Sequence, residues 1–248
     1  MSQGNTYRKA LLDLLALEYN CSPSAFSGSE NILTHATLWE GRRAYDPDQH
    51  FFRMVTLGDH AVITAHACLH PFLREFMKDR MGIWLFEQSN LPPLMRELER
   101  FGYGLSMSWH QFLPALEVAT RQQLEVRWMN GEEMDAFLSD DRFSNALCGE
   151  GTTRPHRMAV CALDGENIMG IAGCSEDAPG WFQIGVDVLP AYRSRGVGTY
   201  LVTLLKNRLI GDGVIPFYGT SLSNLHSWNL ALNCGFRPAW VEMWAEKQ

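Results

Sequence analysis

The chain has 248 residues, 46% of them apolar, enough to bury one large core or two smaller ones. Its 28 acidic and 21 basic residues give a net charge of −7, so the global field opposes nucleic acid and anionic membrane, and any bound anion needs a local basic spot. Six widely spaced cysteines without CxxC pairs read as reduced thiols rather than zinc ligands or redox pairs, and the expected location is cytoplasmic.

In chain order, the first stretch places Leu11, Leu12, Leu15 and Leu17 near one helical face. Asp13 and Glu18 interrupt the apolar run that a signal peptide or membrane span needs. A helix start at CSPSAF, a polar stretch to Phe51 and a strand-like HAVITAHACL follow. Next come a short helix in FLREFMKD, a strand in GIWLFE and a helix from Asn90 to a glycine cap at Gly102, an order of β, α, β, α. The pattern loosens through QFLPALEVATRQQ, which has a proline and no clear apolar face. The boundary is therefore placed at residues 114–123, between a smaller α/β domain over 1–118 and a second domain over 124–248.

The second domain reads as a strand (LEVRWM), a helix (GEEMDAFLS) and three strands separated by the turns DGEN and DAPG, an antiparallel meander. A long helix over 196–210, a strand in VIPFYG, a helix from Asn224 to Cys234 and a last strand in RPAWVEMW complete an α+β layout. Ser-Asn-Leu opens a helix that closes at Gly-aromatic twice, over 89–103 and 223–236. The first domain is accordingly either a degenerate copy of the second or an unrelated domain with ordinary helix caps.

The strand-to-helix turn in VDVLPAYRSRGVGTYLVTLL carries more than a turn requires. An exposed helix start presents unpaired N–H groups and the positive end of the helix dipole. Gly196 and Gly198 remove the Cβ atoms that would block a pyrophosphate, Arg193 and Arg195 supply charge, and Thr199 adds a hydroxyl. A Walker loop is excluded because no lysine precedes Thr199, and a dinucleotide fingerprint because Leu201 stands where its third glycine belongs.

Arg193-x-x-Gly196-x-Gly198 after a strand resembles the coenzyme A pyrophosphate loop of the GNAT superfamily of N-acetyltransferases. Asn224, Ser227, Leu230 and Gly235-Phe236 fall at the spacing of that superfamily's next helix. The agreement spans residues 124–245, and the whole chain is similar to two-domain bacterial members with a poorly characterised first domain. The resemblance implies a mixed, mostly antiparallel sheet with flanking helices, and acetyl-CoA as the acetyl donor.

It further implies that the strands over 182–189 and 214–219 splay apart, with the backbone of Val186 and Val188 pairing the pantetheine arm. The amides of Arg193, Ser194, Arg195, Gly196, Val197, Gly198 and Thr199 would hold the pyrophosphate, and Asn224 and Ser227 the pantetheine or its thiol end. An amine would then attack the thioester directly, without a covalent enzyme intermediate, and Cys174 reads as a buried thiol.

Asp187 is the nearest carboxylate to take the amine's proton; the alternative is a structural partner of Arg193 or of a backbone amide. Glu150, Glu176 and His156 lie in segments that can approach the cleft. Two departures stand out: Ala231 occupies the position of a tyrosine common in the family, and twelve residues after Phe236 allow one further strand where two are usual. The first domain, or a second copy in a homodimer, is expected to cover the edge so left.

Trp109, Trp181, Trp228 and Trp240 read as core, with an acceptor pocket as the alternative. His66 and His70 sit in a strand-like segment that does not suit a shared metal, and no metal is expected. The reading is an N-acetyltransferase acting on a primary amine of a small molecule, with neither nucleic acid nor membrane as partner. An acyl-CoA sensor without catalysis and a protein or peptide acetyltransferase are the alternatives.

Overall fold

The computed structural model describes residues 3–45, 47–120, 123–147 and 154–248. It divides into two units, Met1–Gln111 with Pro238–Gln248, and Phe112–Arg237. No helix among the described residues is long and apolar enough to cross a membrane.

The first unit opens with α1 (Gln3–Glu18), which buries Leu11, Leu14, Leu15 and Ala16 at helical spacing and keeps the Lys9–Asp13 pair exposed. Its sheet holds β1 (Ile32–His35), β2 (Phe52–Thr56), β3 (Ala61–Ala65), and the C-terminal strand from Pro238 onward. β1 lies parallel to β3 and β2 antiparallel to it, and Val241–Trp244 pair antiparallel with β2. Helices α2 (His70–Met77) and α3 (Leu91–Glu99) pack Leu73, Phe76, Leu94 and Leu98 against this sheet. After α3 come β4 (Tyr103–Leu105), antiparallel to the C-terminal strand, and β5 (Trp109–Pro114).

GIWLFE, expected as a strand, is instead a 3₁₀ turn over Gly82–Phe86. Burial of Gly82 and Leu85 follows its three-residue period, and a Cβ on Gly82 would lie 2.1 Å from the backbone nitrogen of Ala61. The turn thus lies flat against the backbone of β3.

The unit also buries four charges. Arg43 pairs with Glu18 at 2.7 Å and Glu242 at 2.8 Å, Arg53 pairs with Glu242 at 2.9 Å, and Gln111 donates to Glu242 at 3.0 Å. The Arg53 guanidinium lies 3.7 Å from the centroid of the Tyr45 ring. Glu18, whose charge interrupts the N-terminal apolar run, is thus a fully buried ion-pair partner.

The second unit contains β6 (Glu125–Met129), α4 (Glu132–Asp135), β7 (His156–Asp164), β8 (Asn167–Ala178), β9 (Trp181–Val188), α5 (Val197–Gly211), β10 (Ile215–Ser221) and α6 (Leu225–Asn233). Antiparallel ladders join β6 to β7, β7 to β8 and β8 to β9, which is the expected meander. β10 lies parallel to β9, and β5 is its other neighbour. One face carries α5 and α6 over a core that includes Ile184, Leu201, Tyr218, Ala231 and Phe236. The other carries Met134, Phe143 and Leu147 over Cys161 and Ile171.

The division falls inside β5 and inside β11 (Phe236–Lys247), not in the loosened stretch at 114–123. Hydrogen bonds rather than an apolar face tie that stretch to the second unit. Ala115 and Leu116 donate to the Gly235 carbonyl at 3.0 Å, and the buried Lys206 ammonium donates to the carbonyls of Leu116 at 3.2 Å and Cys234 at 2.6 Å. Residues 238–248, assigned from sequence to the second domain, supply sheet partners in the first unit.

Candidate active site

β9 and β10 are paired from Trp181 opposite Ile215 to Ile184 opposite Tyr218. Among the described residues their ladder ends there, although β9 stays paired to β8 as far as Val188 opposite Gly170 and β10 runs on to Ser221. The two strands therefore part, and the edge of Gly185–Val188 facing β10 has no strand partner. Its polar backbone groups are available to an extended ligand.

β9 ends at Val188, a short 3₁₀ turn follows over Pro190–Tyr192, and the chain turns into α5. Ser194 at φ 60° and Gly196 at φ 81° both take the left-handed conformation, which turns successive amides toward one concave side. The first-turn amides of α5 have no partner within the helix. At Gly198 the helix passes closest to the strand, since a Cβ there would lie 2.9 Å from Leu230 Cδ1 and 3.3 Å from Val188 Cγ2. A cavity of about 390 Å³ opens beside this turn, among Gly196, Thr199, Tyr200, the segment Val118–Thr120 and Asn233.

The two arginines are placed differently. Arg193 turns back along β9 and donates from Nε to the Val188 carbonyl at 3.0 Å, while the Arg195 guanidinium carbon lies 5.7 Å from the Tyr192 ring centroid. Both side chains are exposed. Asn224 caps α6, its Oδ1 accepting the Ser227 N–H at 3.2 Å. Burial pushes the pKa of the Tyr218 phenol above its ordinary value, with the nearby Ser227 acting in the opposite direction. Ala231, one turn further along α6, is fully buried in the same core as Tyr218.

Asp187 points to the opposite face of β9, where its carboxylate accepts three hydrogen bonds. These come from the Asn145 N–H at 2.8 Å, the Asn145 amide nitrogen at 2.7 Å and the Ala146 N–H at 2.9 Å. This is the backbone-amide partnership weighed against the base. Gly173 and Gly185 face each other across β8 and β9. A Cβ on Gly185 would lie 1.7 Å from the Asn145 oxygen and one on Gly173 2.3 Å from the Ala146 oxygen, so the two glycines seat this segment on the sheet.

Glu176 is held by Arg157 Nε at 2.8 Å and accepts the Gly180 N–H at 3.2 Å, while Glu150 lies outside the described residues. Deeper on the same face as Asp187, Arg154 donates to Gln183 at 2.9 Å and pairs with Asp177 at 3.3 Å. His156 stands at the start of β7. Burial pushes the Cys174 thiol up to about 12, against any role as a nucleophile. Trp228 packs edge-on against Phe112 at 4.8 Å, Trp181 against Phe217 at 6.2 Å, and Trp109 stacks on Trp244 at 5.9 Å. Trp240 is also buried, 2% exposed. His66 and His70 bond locally, to Cys68 Sγ and to the Ala65 carbonyl, at 3.0 and 3.1 Å.

Sequence reasoning missed the seat for Asn145 and Ala146. The signal for the seat was present, because a lone glycine inside a strand marks a close backbone approach, and Gly173 and Gly185 are two such glycines.

A glycine-opened helix start beside a parted pair of parallel strands offers unpaired amides to an extended anionic ligand. Residues 121–236 match the sequence profile of the acetyltransferase (GNAT) family, with an additional region before that segment. Among solved structures, the chain is similar to a GNAT-family protein from Novosphingobium aromaticivorans, at 19% identity and a TM-score of 0.46 over 58% of this chain and 66% of that one, just under two thirds. It is similar to a GNAT-family acetyltransferase from Colwellia psychrerythraea at 11% identity and a TM-score of 0.45, over 76% and 78% of the two chains. A third, AAC(6')-Iy in complex with the bisubstrate analogue CoA-S-monomethyl-acetylneamine, has 19% identity and a TM-score of 0.37 over 48% of this chain and 93% of that one. Among curated proteins none matches the chain.

Proposed function

We propose that this protein is an N-acetyltransferase that moves the acetyl group of acetyl-CoA to a primary amine of a small molecule, by direct attack in a ternary complex. The observation that carries this reading is the parting of β9 and β10 beyond Ile184 and Tyr218, beside the glycine-lined first turn of α5. When bound, coenzyme A supplies an activated acetyl thioester.

The residues divide the work. Amides of Arg193, Ser194, Arg195, Gly196, Val197, Gly198 and Thr199 receive the pyrophosphate, with Arg195 adding positive charge and the cavity beside Gly196 giving room for the nucleotide end. Val186 and Val188 present their backbone to the pantetheine arm, and a β9 N–H polarises the thioester carbonyl. Arg193, through the Val188 carbonyl, fixes the loop to the strand end. Asn224 orders α6, and Ser227 lies at the thiol end. Asp187 acts as a positioning residue, holding Asn145 and Ala146 over β9. The net charge of −7 draws cationic amines toward the protein.

Asp187, with three hydrogen bonds already made, is the observation that favours the second reading, an acyl-CoA sensor without catalysis. Thiol release from acetyl-CoA with a panel of small amines separates the two. The proposal predicts amine-dependent release. Coenzyme binding with no release under any amine would support the sensor, and acetylation of peptides alone would support a protein acetyltransferase.

A further inference from the structure

The cleft between β9 and β10 has two sides, and one of them is closed at its apex. Ile184 and Tyr218, the last paired residues, are 2% and 4% exposed and lie in the core beneath α5 and α6. A second substrate therefore meets a group held at the apex from the other face of the sheet. Side chains alternate along a strand and paired residues share a face. That face accordingly carries Gln183 and Phe217 just before the strands part, then Gly185 and Asp187 on β9 with Gly219 and Ser221 on β10. Ser175, opposite Gln183 on β8, lies on it too.

Arg154 reaches this face. Its Nη1 donates to Gln183 Oε1 at 2.9 Å and lies 3.3 Å from Asp177 Oδ2. Asp177 is 5% exposed, and its other oxygen accepts the Ser175 hydroxyl at 2.7 Å, so a buried, anchored carboxylate holds the guanidinium beside the apex. The Arg154 side chain keeps 35% of its surface exposed, and a guanidinium carries five N–H donors in a planar fork. The neighbouring carboxylates are engaged elsewhere, Asp187 with Asn145 and Ala146, and Glu176 with Arg157.

We propose that Arg154 binds a carboxylate of the acceptor, which makes the acceptor an amino acid or a similar amine that carries a carboxylate. This rests on the acetyltransferase reading above. A planar guanidinium matches a carboxylate in shape and can hold it through two N–H groups. Asp177 already balances one local charge, which suits a monoanion better than a phosphate group of charge about −2. A zwitterionic amino acid has no net charge, so the overall −7 does not repel it as it would a bare anion.

The test is acetyl transfer to acceptors in matched pairs, each an amino acid and the amine that lacks its carboxylate, such as β-alanine with ethylamine and lysine with 1,5-diaminopentane. The wild-type protein is expected to favour the carboxylate-bearing member of at least one pair by about ten-fold or more in kcat/KM, chiefly through KM. Arg154→Met combined with Asp177→Asn removes the cation without leaving a buried charge unpaired, and should shrink that preference to within about three-fold. Arg154→Lys leaves Asp177 paired but loses the fork, and should keep an intermediate preference, which holds the test open if the double variant folds poorly. No preference in any pair, or a preference untouched in both variants, would overturn the role of Arg154 and leave the acetyltransferase standing. Wild-type protein that binds coenzyme A and acetylates no amine would overturn both.

Discussion

The carbonyl oxygen of Asn145 occupies the space above Gly185 where any other residue would carry its Cβ, 1.7 Å from that position. The obstruction is backbone, so the whole Asn145–Leu147 segment must lift to admit a methyl group. Gly185→Ala should therefore cost about 3 kcal/mol of stability, measured by chemical denaturation. A change below about 0.5 kcal/mol would show that the segment is not seated there.

Asp187→Asn keeps one acceptor oxygen for the Asn145 and Ala146 N–H groups and sets its NH2 against the Asn145 side-chain amide. A positioning role predicts a loss of about 1–3 kcal/mol with the pH profile of kcat/KM keeping its shape. Loss of the acid limb of that profile at unchanged stability would instead make Asp187 the base.

Gly198→Ala places a methyl group against Leu230 Cδ1 at 2.9 Å and Val188 Cγ2 at 3.3 Å. The Leu230 side chain can yield, and alanine favours the helix by about 1 kcal/mol over glycine, so melting should change little. Coenzyme affinity should fall at least about ten-fold, because the added group enters the opening between strand and helix. Calorimetry on the variant reads both quantities, and unchanged affinity would argue against this approach to the site.

Glu242 links the first unit's chemistry to pH. Burial alone pushes its pKa up, but the Arg43 and Arg53 guanidiniums outweigh burial and hold the carboxyl at about 2, below its ordinary 4.5. A depressed pKa contributes stability that is complete above pH 4.5 and is lost as pH falls toward about 2. Glu242→Gln should cost about 3–5 kcal/mol at neutral pH, since it leaves Arg43 and Arg53 short of a buried partner. Its stability should also vary less with pH across that window, as denaturation at several acidic pH values would show.

The second unit was more legible than the first, for physical reasons. The meander announced itself through glycine turns and alternating apolar residues, and α5 and α6 through glycine and asparagine ends. In the first unit β1, β2, β4 and β5 are three to six residues long, too short to establish a period. The 3₁₀ turn at Gly82–Phe86 imitates a strand because its residues are aromatic and branched. At the site, the arginine-glycine loop could be read because its chemistry lies in consecutive residues. Asp187 and Asn145 come from distant segments, and sequence spacing carries no record of their meeting.

A calorimetric titration of the folded, full-length chain with coenzyme A asks most directly whether the parted strands and the first turn of α5 form its binding site. Saturable heat, with a Kd between about 1 μM and 1 mM that weakens in Gly198→Ala, is the predicted result. No heat of binding from well-folded protein at millimolar coenzyme would contradict it.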